Sequence, residues 1–287
     1  MFCRTAAPAL CAALAVFAVP ARAQTQPRAR PASTVAKAIP LPADTLKRLK
    51  GGDEALVHQA LDDVRMSARA GAPAVPSVVA LLKQGLRPTL TRAALEALGD
   101  TENDQASEVL GWYAHHRDAS LRRAAVEALA RTRAALAIAT LRASLSDQDP
   151  RVRGLAATGL GEMKAKDAVG DLFVALDHRV AEAAAAIGQL CAPSECDKLA
   201  SKLGSVPFEV VTSGLERVLF RPLPDVNDEL KVKIVGRVRE LGTAEANRFL
   251  RDAQGRWPKG GSTKVKQSLD QAVLATSASP GSEGSAQ

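Results

Sequence analysis

Aromatic residues are scarce in this chain of 287 residues, and their share of 3% restricts the fold class. Half-buried β-strands favour aromatic and β-branched side chains, so the composition disfavours a β-sandwich. Apolar residues make up 46% and charged residues 24%, which excludes a disordered chain, and Gly and Pro are too few for a collagen-like one. A core rich in Ala, Leu and Val predicts closely packed helices.

Long hydrophobic runs are also missing, apart from one near the N-terminus. The run from Ala6 to Val19 has 14 residues, whereas crossing a bilayer takes roughly 20. It follows the basic residue Arg4 and precedes Ala21-Arg22-Ala23, an order typical of a secretion signal with a small-residue cleavage site. The sequence therefore predicts a signal peptide over residues 1–23, a periplasmic or secreted protein, and no transmembrane segment in the mature chain.

Two further segments carry no periodic apolar pattern. Residues 24–41 contain three prolines and predict a linker, and residues 277–287, SASPGSEGSAQ, predict a disordered tail. The folded region is therefore expected to span residues 42–276.

An internal repeat of 31 residues organises the folded region. TLTRAALEALGD (89–100), SLRRAAVEALAR (120–131) and RVRGLAATGLGE (151–162) align without gaps. Apolar residues recur at three and four positions in each segment, which is the helical spacing, so each unit is expected to be two helices and a tight turn. The predicted helix pairs are 43–50 with 53–69, 74–84 with 88–99, 104–116 with 119–132, 135–145 with 150–163, 167–176 with 178–190, and 195–203 with 208–220.

Turn residues and glycines add local detail to this pattern. Asp118 and Asp149 precede second helices, where a carboxylate accepts hydrogen bonds from free backbone N–H groups. Gly99 is expected to stop its helix, and Gly161 and Gly188 are expected to allow close contact between helices.

The stretch LRASLSDQDPRVRGLAATGLGEMKAKDAVGDLFVALD (141–177) resembles consecutive HEAT repeats of the short bacterial kind that also occurs in phycobilisome lyases. The segment DPRVRGLAATGLGEM is similar to the turn and second helix of that family. The resemblance covers residues 73–190, with Arg87 where the family usually has the turn Asp. It implies an all-α fold, a right-handed α-solenoid of stacked antiparallel helix pairs, which binds partners on an extended curved face.

Residues 227–276 depart from the repeat and are expected to form an atypical C-terminal cap. ELKVKIVGRVREL (229–241) resembles a second helix that has lost its first. Ten basic and three acidic residues lie between Lys231 and Lys266, a local charge of +7. Such a surface suits a protein partner or another anionic envelope component, with a solvated cap as the alternative. The candidate interaction residues are Lys233, Arg237, Arg248 and Arg251 in the cap, and Arg92, Glu96, Arg123 and Glu127 on the concave face.

Two cysteines, Cys191 and Cys196, remain after the predicted cleavage. A close pair in an exported protein is a candidate disulfide, with two buried free thiols as the alternative. A zinc site would need two more ligands, and only His178 lies nearby in sequence, so no metal is expected.

Recognisable catalytic and cofactor-binding motifs are missing as well. The cluster of Trp112, Tyr113, His115, His116, Arg117 and Asp118 falls at the end of a first helix and in the following turn. It is interpreted as packing and turn, with a binding edge as the alternative. The sequence thus predicts no catalytic residues, no cofactor, and a non-enzymatic interaction scaffold of the bacterial cell envelope. The alternatives are a bilin-lyase-like enzyme, which the family resemblance leaves open, and a nucleic-acid-binding HEAT-like protein, against which export and the nearly balanced charge of residues 42–176 argue.

Overall fold

The computed structural model describes residues 39–132 and 134–277, and these residues form α-helices joined by turns and short 3₁₀ segments. This part of the chain contains no β-strand, only an isolated bridge between Leu203 and Val206. The prediction of an all-α fold is confirmed. The helices are α1 Thr45–Leu49, α2 Glu54–Ser67, α3 Val75–Gln84, α4 Pro88–Asp100, α5 Ser107–Ala114, α6 Ala119–Thr132, α7 Ala135–Ser144, α8 Pro150–Glu162, α9 Val169–Asp177, α10 Glu182–Leu190, α11 Pro193–Ala200, α12 Phe208–Leu219, α13 Asp228–Glu240, α14 Ala244–Arg256 and α15 Thr263–Ser277. The predicted signal peptide, most of the linker and nearly all of the tail lie outside the described residues.

The helices pair and stack as an α-solenoid. Each even-numbered helix from α2 to α12 packs against the next even-numbered one, and each odd-numbered helix from α1 to α13 packs against the even-numbered helix that follows it. The 31-residue register places Ala94, Ala125 and Ala156 on successive second helices, where all three are fully buried. Small side chains at these positions let neighbouring second helices approach, which makes one continuous core along the stack.

The predicted Asp caps are confirmed. The Asp149 carboxylate accepts hydrogen bonds from the backbone N–H groups of Arg151 at 2.8 Å and Val152 at 3.3 Å. Asp118 accepts one from the N–H of Ser120 at 2.8 Å. Each bond satisfies a donor that the first turn of a helix leaves free, so these residues fix where α6 and α8 begin.

Helix α10 begins at Glu182, so the prediction of a start at residue 178 is wrong. Arg179 adopts a left-handed conformation with φ 65°, and the N–H of Val180 bonds to the carbonyl oxygen of Ala175 at 3.0 Å. This closure ends α9 and occupies the first residues of the predicted helix 178–190.

Glycines bring the second helices into direct contact. A Cβ atom at Gly161 would lie 3.2 Å from the Cα atom of Ala186, and one at Gly188 would lie 2.1 Å from the backbone oxygen of Gly214. Close contact at Gly161 and Gly188 is therefore confirmed. Gly99 has the same role and is not a helix stop, because its Cβ would lie 2.8 Å from the Cα of Ala128 and α4 continues past it.

The C-terminal cap continues the pairing of the solenoid. Helix α13 packs against the first helix α11, and α14 contacts the second helix α12. The interpretation of residues 229–241 as a second helix without its first is therefore wrong, since α13 is the first helix of a further pair. Helix α15 packs against both α13 and α14 and covers the end of the stack.

Candidate interaction surfaces

Arg92 and Glu96, predicted on the concave face, contact each other on α4. The Nε atom of Arg92 lies 2.9 Å from one carboxylate oxygen of Glu96, and Arg65 of α2 lies 3.1 Å from the other. Both charges of the predicted pair are therefore matched within the protein.

Glu127 and Arg123, the other two residues predicted on this face, belong to separate ion pairs. Glu127 lies 2.6 Å from Arg131 on the same helix α6, and Arg131 also reaches Asp100 of α4 at 2.5 Å. Arg123 points to the turn before α8, where it bonds to Asp149. The face formed by α2, α4 and α6 thus carries alternating charges that neutralise one another.

A series of polar contacts, here called the ladder, joins the turns of successive repeats. Arg122 donates two hydrogen bonds of 2.8 Å to Asp147 and two more to the carbonyl oxygens of His116, at 3.0 Å, and Arg117, at 3.1 Å. Burial raises the pKa of Asp147, but the bonds from Arg122 and from the N–H of Asp149 outweigh it and hold that pKa below its ordinary value.

Sequence reasoning missed this ladder because its partners lie 25 residues apart. A signal was available, since Arg122 and Arg153 are separated by one repeat length. Arg153 makes the equivalent contacts with its own turn, donating to the carbonyl oxygens of Asp147 at 2.9 Å and Gln148 at 3.2 Å.

The four basic residues predicted at the C-terminal end divide into two groups. Lys233 and Arg237 of α13 both contact the carboxylate of Asp197 in α11, at 3.0 and 3.1 Å. Arg248 and Arg251 are exposed on α14, where Arg251 approaches the hydroxyl of Ser277 at 3.3 Å. Among the described residues, the first two are therefore paired with an acidic residue, whereas Arg248 and Arg251 form no ion pair.

Two other basic residues of this end are also engaged by contacts within the protein. Lys231 is only 4% exposed; its ammonium group donates to the carbonyl oxygen of Arg221 and lies 5.8 Å from the centroid of the Trp257 ring. Burial lowers the pKa of Lys231. Lys264 pairs with Glu229 at 3.0 Å. The local charge of +7 counted in the sequence thus overstates what a partner would meet.

A cleft of about 1040 Å³ lies where the C-terminal ends of α8, α10 and α12 meet. Its lining includes the ring of Phe220, over which Arg256 lies at 5.2 Å, and Arg256 also pairs with Glu216 at 2.7 Å. No sequence pattern indicated this cleft, because its residues come from separate repeats and from the cap. Its charged lining consists of Lys164, Lys166, Arg217, Arg221 and Arg256 with Glu162, Glu216 and Asp225.

Cys191 and Cys196 lie on either side of the turn between α10 and α11. Their Cα atoms are 5.3 Å apart and their sulfur atoms 2.07 Å, within the range of disulfide geometry. Arg221 donates to the carbonyl oxygen of Cys191 at 2.8 Å and lies 3.8 and 3.9 Å from the two sulfur atoms. The structure brings the pair together, and oxidation of the exported protein stays a prediction.

The aromatic and histidine cluster at the end of α5 serves packing and turn formation. The Tyr113 hydroxyl donates to the carbonyl oxygen of Leu82 at 3.1 Å and so ties α5 to α3. The Nδ1 atom of His116 accepts the N–H of Asp118 at 3.0 Å. Trp112 stays 54% exposed, with the ammonium group of Lys83 5.3 Å from the centroid of its ring.

Within residues 39–132 and 134–277, no three His, Cys, Asp or Glu side chains converge as metal ligands. None of the helices in the same ranges combines the length and apolarity that a membrane span requires.

Residues 75–153 match the family model of HEAT repeats, which confirms the resemblance seen in the sequence. A chain from the complex of CpcE and CpcF of phycocyanin lyase from Nostoc sp. PCC7120 is similar in structure, with 18% identity over 86% of this chain and 99% of that one and a TM-score of 0.47. A designed armadillo repeat protein in complex with the peptide (KR)4 has 16% identity over 81% of this chain and 98% of that one, with a TM-score of 0.41. Among curated proteins, none matches the sequence.

Proposed function

We propose that this HEAT-repeat protein is a non-enzymatic protein-interaction scaffold of the bacterial cell envelope. It binds a partner on its concave face, which the second helices α2 to α12 would form, or at its basic C-terminal end. The observation that carries the proposal is the unbroken stack of second helices from α2 to α12, with one face exposed along its length. Solenoids of this kind bind partners on extended curved surfaces, while the side chains on the surface select the partner.

Charge supports an anionic partner. Removal of residues 1–23 takes away Arg4 and Arg22 and lowers the net charge from +7 to +5. Arg248 and Arg251 remain exposed on α14. Exposed charges of one sign speed association with an oppositely charged partner and make it salt-dependent.

Export is the first part of the proposal to test. Protein purified from its native host should begin at Gln24, and its intact mass should show no thiol available for alkylation until a reductant is added. The pairing of Cys191 and Cys196 closes a short loop and should stabilise the fold by roughly 2 kcal/mol. Cytoplasmic protein that retains Met1, or two alkylated thiols in unreduced exported protein, would contradict these expectations.

Capture of a partner is the second part. Crosslinking in the native envelope should recover a specific protein, whereas recovery of a chromophore or a nucleic acid would favour one of the rival functions. Binding of the recovered partner should weaken about fivefold at low salt in the variant Arg248→Gln/Arg251→Gln, and less near physiological salt, because the lost attraction is screened.

A matched variant is Lys233→Gln/Arg237→Gln, which removes the same charge from residues already bound to Asp197. It should weaken binding less than the α14 variant does. Unchanged affinity in both variants at both salt concentrations would place the partner on the face around Arg92 and Glu127 instead.

A further inference from the structure

We infer that the cleft at the C-terminal ends of α8, α10 and α12 is a docking site for an acidic peptide segment of a protein partner. The inference rests on the proposed scaffold function and assigns that function a place and a ligand chemistry. It starts from a difference in charge pairing between the face of α2, α4 and α6 and the lining of the cleft.

On α2, α4 and α6 the basic side chains Arg65, Arg92 and Arg131 each lie within ion-pair distance of an acidic one. Among the described residues, no such pair involves Lys164, Lys166 or Arg217, which line the cleft. The charges of the three arginines are therefore matched by acidic residues of the protein, whereas the three basic residues of the cleft are available to pair with a ligand.

The two lysines project from a turn of fixed shape. Lys164 follows α8 in a left-handed conformation with φ 57°, and its N–H bonds to the carbonyl oxygen of Gly161 at 3.1 Å. The next N–H, of Ala165, bonds to Leu160 at 3.1 Å, and a 3₁₀ turn begins at Lys166. These hydrogen bonds fix the backbone of the turn after α8, and the backbone fixes the positions from which both lysine side chains extend.

Two arginines that also line the cleft are held in place by contacts within the protein. Arg221 is fixed by its bond to the Cys191 carbonyl, and Arg256 by its pair with Glu216 and its contact with the Phe220 ring. Because these guanidinium groups are ordered without a ligand, binding would not have to order them, which favours affinity.

The volume and the charge distribution of the cleft favour a peptide over other anions. The volume of about 1040 Å³ is at the upper end for ligand pockets, so it suits a chain segment better than a single ion. Glu162 and Asp225 also line the cleft and leave a net lining charge of +2. These carboxylates would repel a uniformly charged phosphate backbone, whereas a peptide can place its acidic residues against Lys164, Lys166 and Arg217 alone.

The test uses the full exported chain and a fluorescein-labelled peptide of alternating glutamate and alanine, with binding followed by fluorescence anisotropy. The cleft variant is Lys164→Gln/Lys166→Gln/Arg217→Gln. The control variant, Lys47→Gln/Lys50→Gln/Arg117→Gln, loses the same charge from exposed residues that lie outside both the cleft and the basic C-terminal end. We expect the cleft variant to weaken binding at least tenfold and the control less than twofold, with both variants retaining the parent's circular dichroism spectrum.

Three outcomes would overturn the inference. Equal weakening in both variants would show that the peptide responds to the net charge of the protein and not to the cleft. Absence of peptide binding by the parent would show that the cleft is not a peptide site. Tighter binding of single-stranded DNA than of the peptide, lost in the cleft variant, would assign the cleft to phosphate.

A photocrosslinking residue at Gln189, which lines the cleft, separates this inference from the scaffold function. A matched position is Gln59, which is exposed on α2. Envelope partners that crosslink through Gln59 but not Gln189 would overturn the cleft assignment and leave the scaffold function standing. No partner captured at Gln59, at Gln189 or at Arg248, which is exposed at the basic C-terminal end, would reject both.

Discussion

Replacing Gly188 with alanine is expected to lower the free energy of unfolding by about 3 kcal/mol, the upper part of the range for overpacked cores. The added Cβ would lie 2.1 Å from the carbonyl oxygen and 2.8 Å from the carbonyl carbon of Gly214. The obstacle is backbone of α12, so no side chain can rotate away and the two helices must separate. Gly214 packs in the same way, because a Cβ there would lie 2.3 Å from the carbonyl oxygen of Ala184.

Thermal unfolding followed by circular dichroism measures the effect. For a chain of this size 1 kcal/mol corresponds to about 2 to 4 °C, so Tm should fall by about 6 to 12 °C. The control is Gly236→Ala in the middle of α13, where an added Cβ meets nothing within 4 Å. Alanine there should be neutral or raise stability by about 0.5 to 1 kcal/mol. A Gly188→Ala protein as stable as the parent would refute backbone contact between α10 and α12.

The position of the contact also predicts how the variant unfolds. In a solenoid each repeat is stabilised mainly by its neighbours, so weakening the contact between α10 and α12 should uncouple the C-terminal helices from the rest. Trp257 follows α14 and Trp112 lies in α5. Fluorescence of variants that keep one tryptophan should therefore show a larger drop in unfolding midpoint for Trp257 than for Trp112.

Most of the fold could be predicted because the same pattern of apolar residues recurs in several repeats. Leu98, Leu129 and Leu160 recur at 31-residue intervals, and all three are fully buried. The helix caps at Asp118 and Asp149 could also be predicted from the sequence, because capping depends on contacts within a few residues. Local rules were therefore sufficient for the helices and their order.

Apart from the start of α10, which the local turn at Arg179 sets, the errors concern contacts between distant residues. The role of Gly99 depends on Ala128 in the next repeat, and the phase of α13 depends on its packing against α11. Lys231 counted as a surface charge, although it lies under Trp257 and bonds to Arg221. None of these facts is encoded in the spacing of neighbouring residues, so periodicity alone could not supply them.

The candidate sites were predictable only as residue types. The sequence indicated an excess of basic residues near the C-terminus, but only the structure shows that three of them are paired with Asp197 and Glu229. The cleft combines residues from the turn after α8 with others from α12 and α14. It becomes visible only when the stacking of the repeats is known.

The second large effect is expected from Arg122→Met, which should lower the free energy of unfolding at pH 7 by about 2 to 3 kcal/mol. The substitution keeps much of the side-chain volume but leaves the Asp147 carboxylate, of which only 12% is exposed, without its cation. It also removes the donor to the carbonyl oxygens of His116 and Arg117. Urea denaturation measures the loss. The control is Arg92→Met, whose pair with Glu96 is exposed and should be worth less than about 1 kcal/mol.

Lowering the pH should reveal how much of that loss is electrostatic. The pKa of Asp149 is lowered to about 2 by its bond to Arg123 and by backbone N–H groups, and the pKa of Asp147 is also lowered despite its burial. The stability that these carboxylates contribute is therefore complete above their ordinary pKa of 3.8 and is lost as the pH falls through the folded-state values.

In Arg122→Met the Asp147 carboxyl keeps its burial, which raises its pKa, but loses the bonds from Arg122 that lowered it. Asp147 should then take up a proton at a higher pH than in the parent, and the proton would remove the uncompensated charge. The difference in unfolding free energy between parent and variant should accordingly be largest near pH 7 and shrink towards pH 3. A difference that stays constant over this range would attribute the loss to packing of the Arg122 stem and to the two carbonyl groups, and the bond to Asp147 would then contribute little.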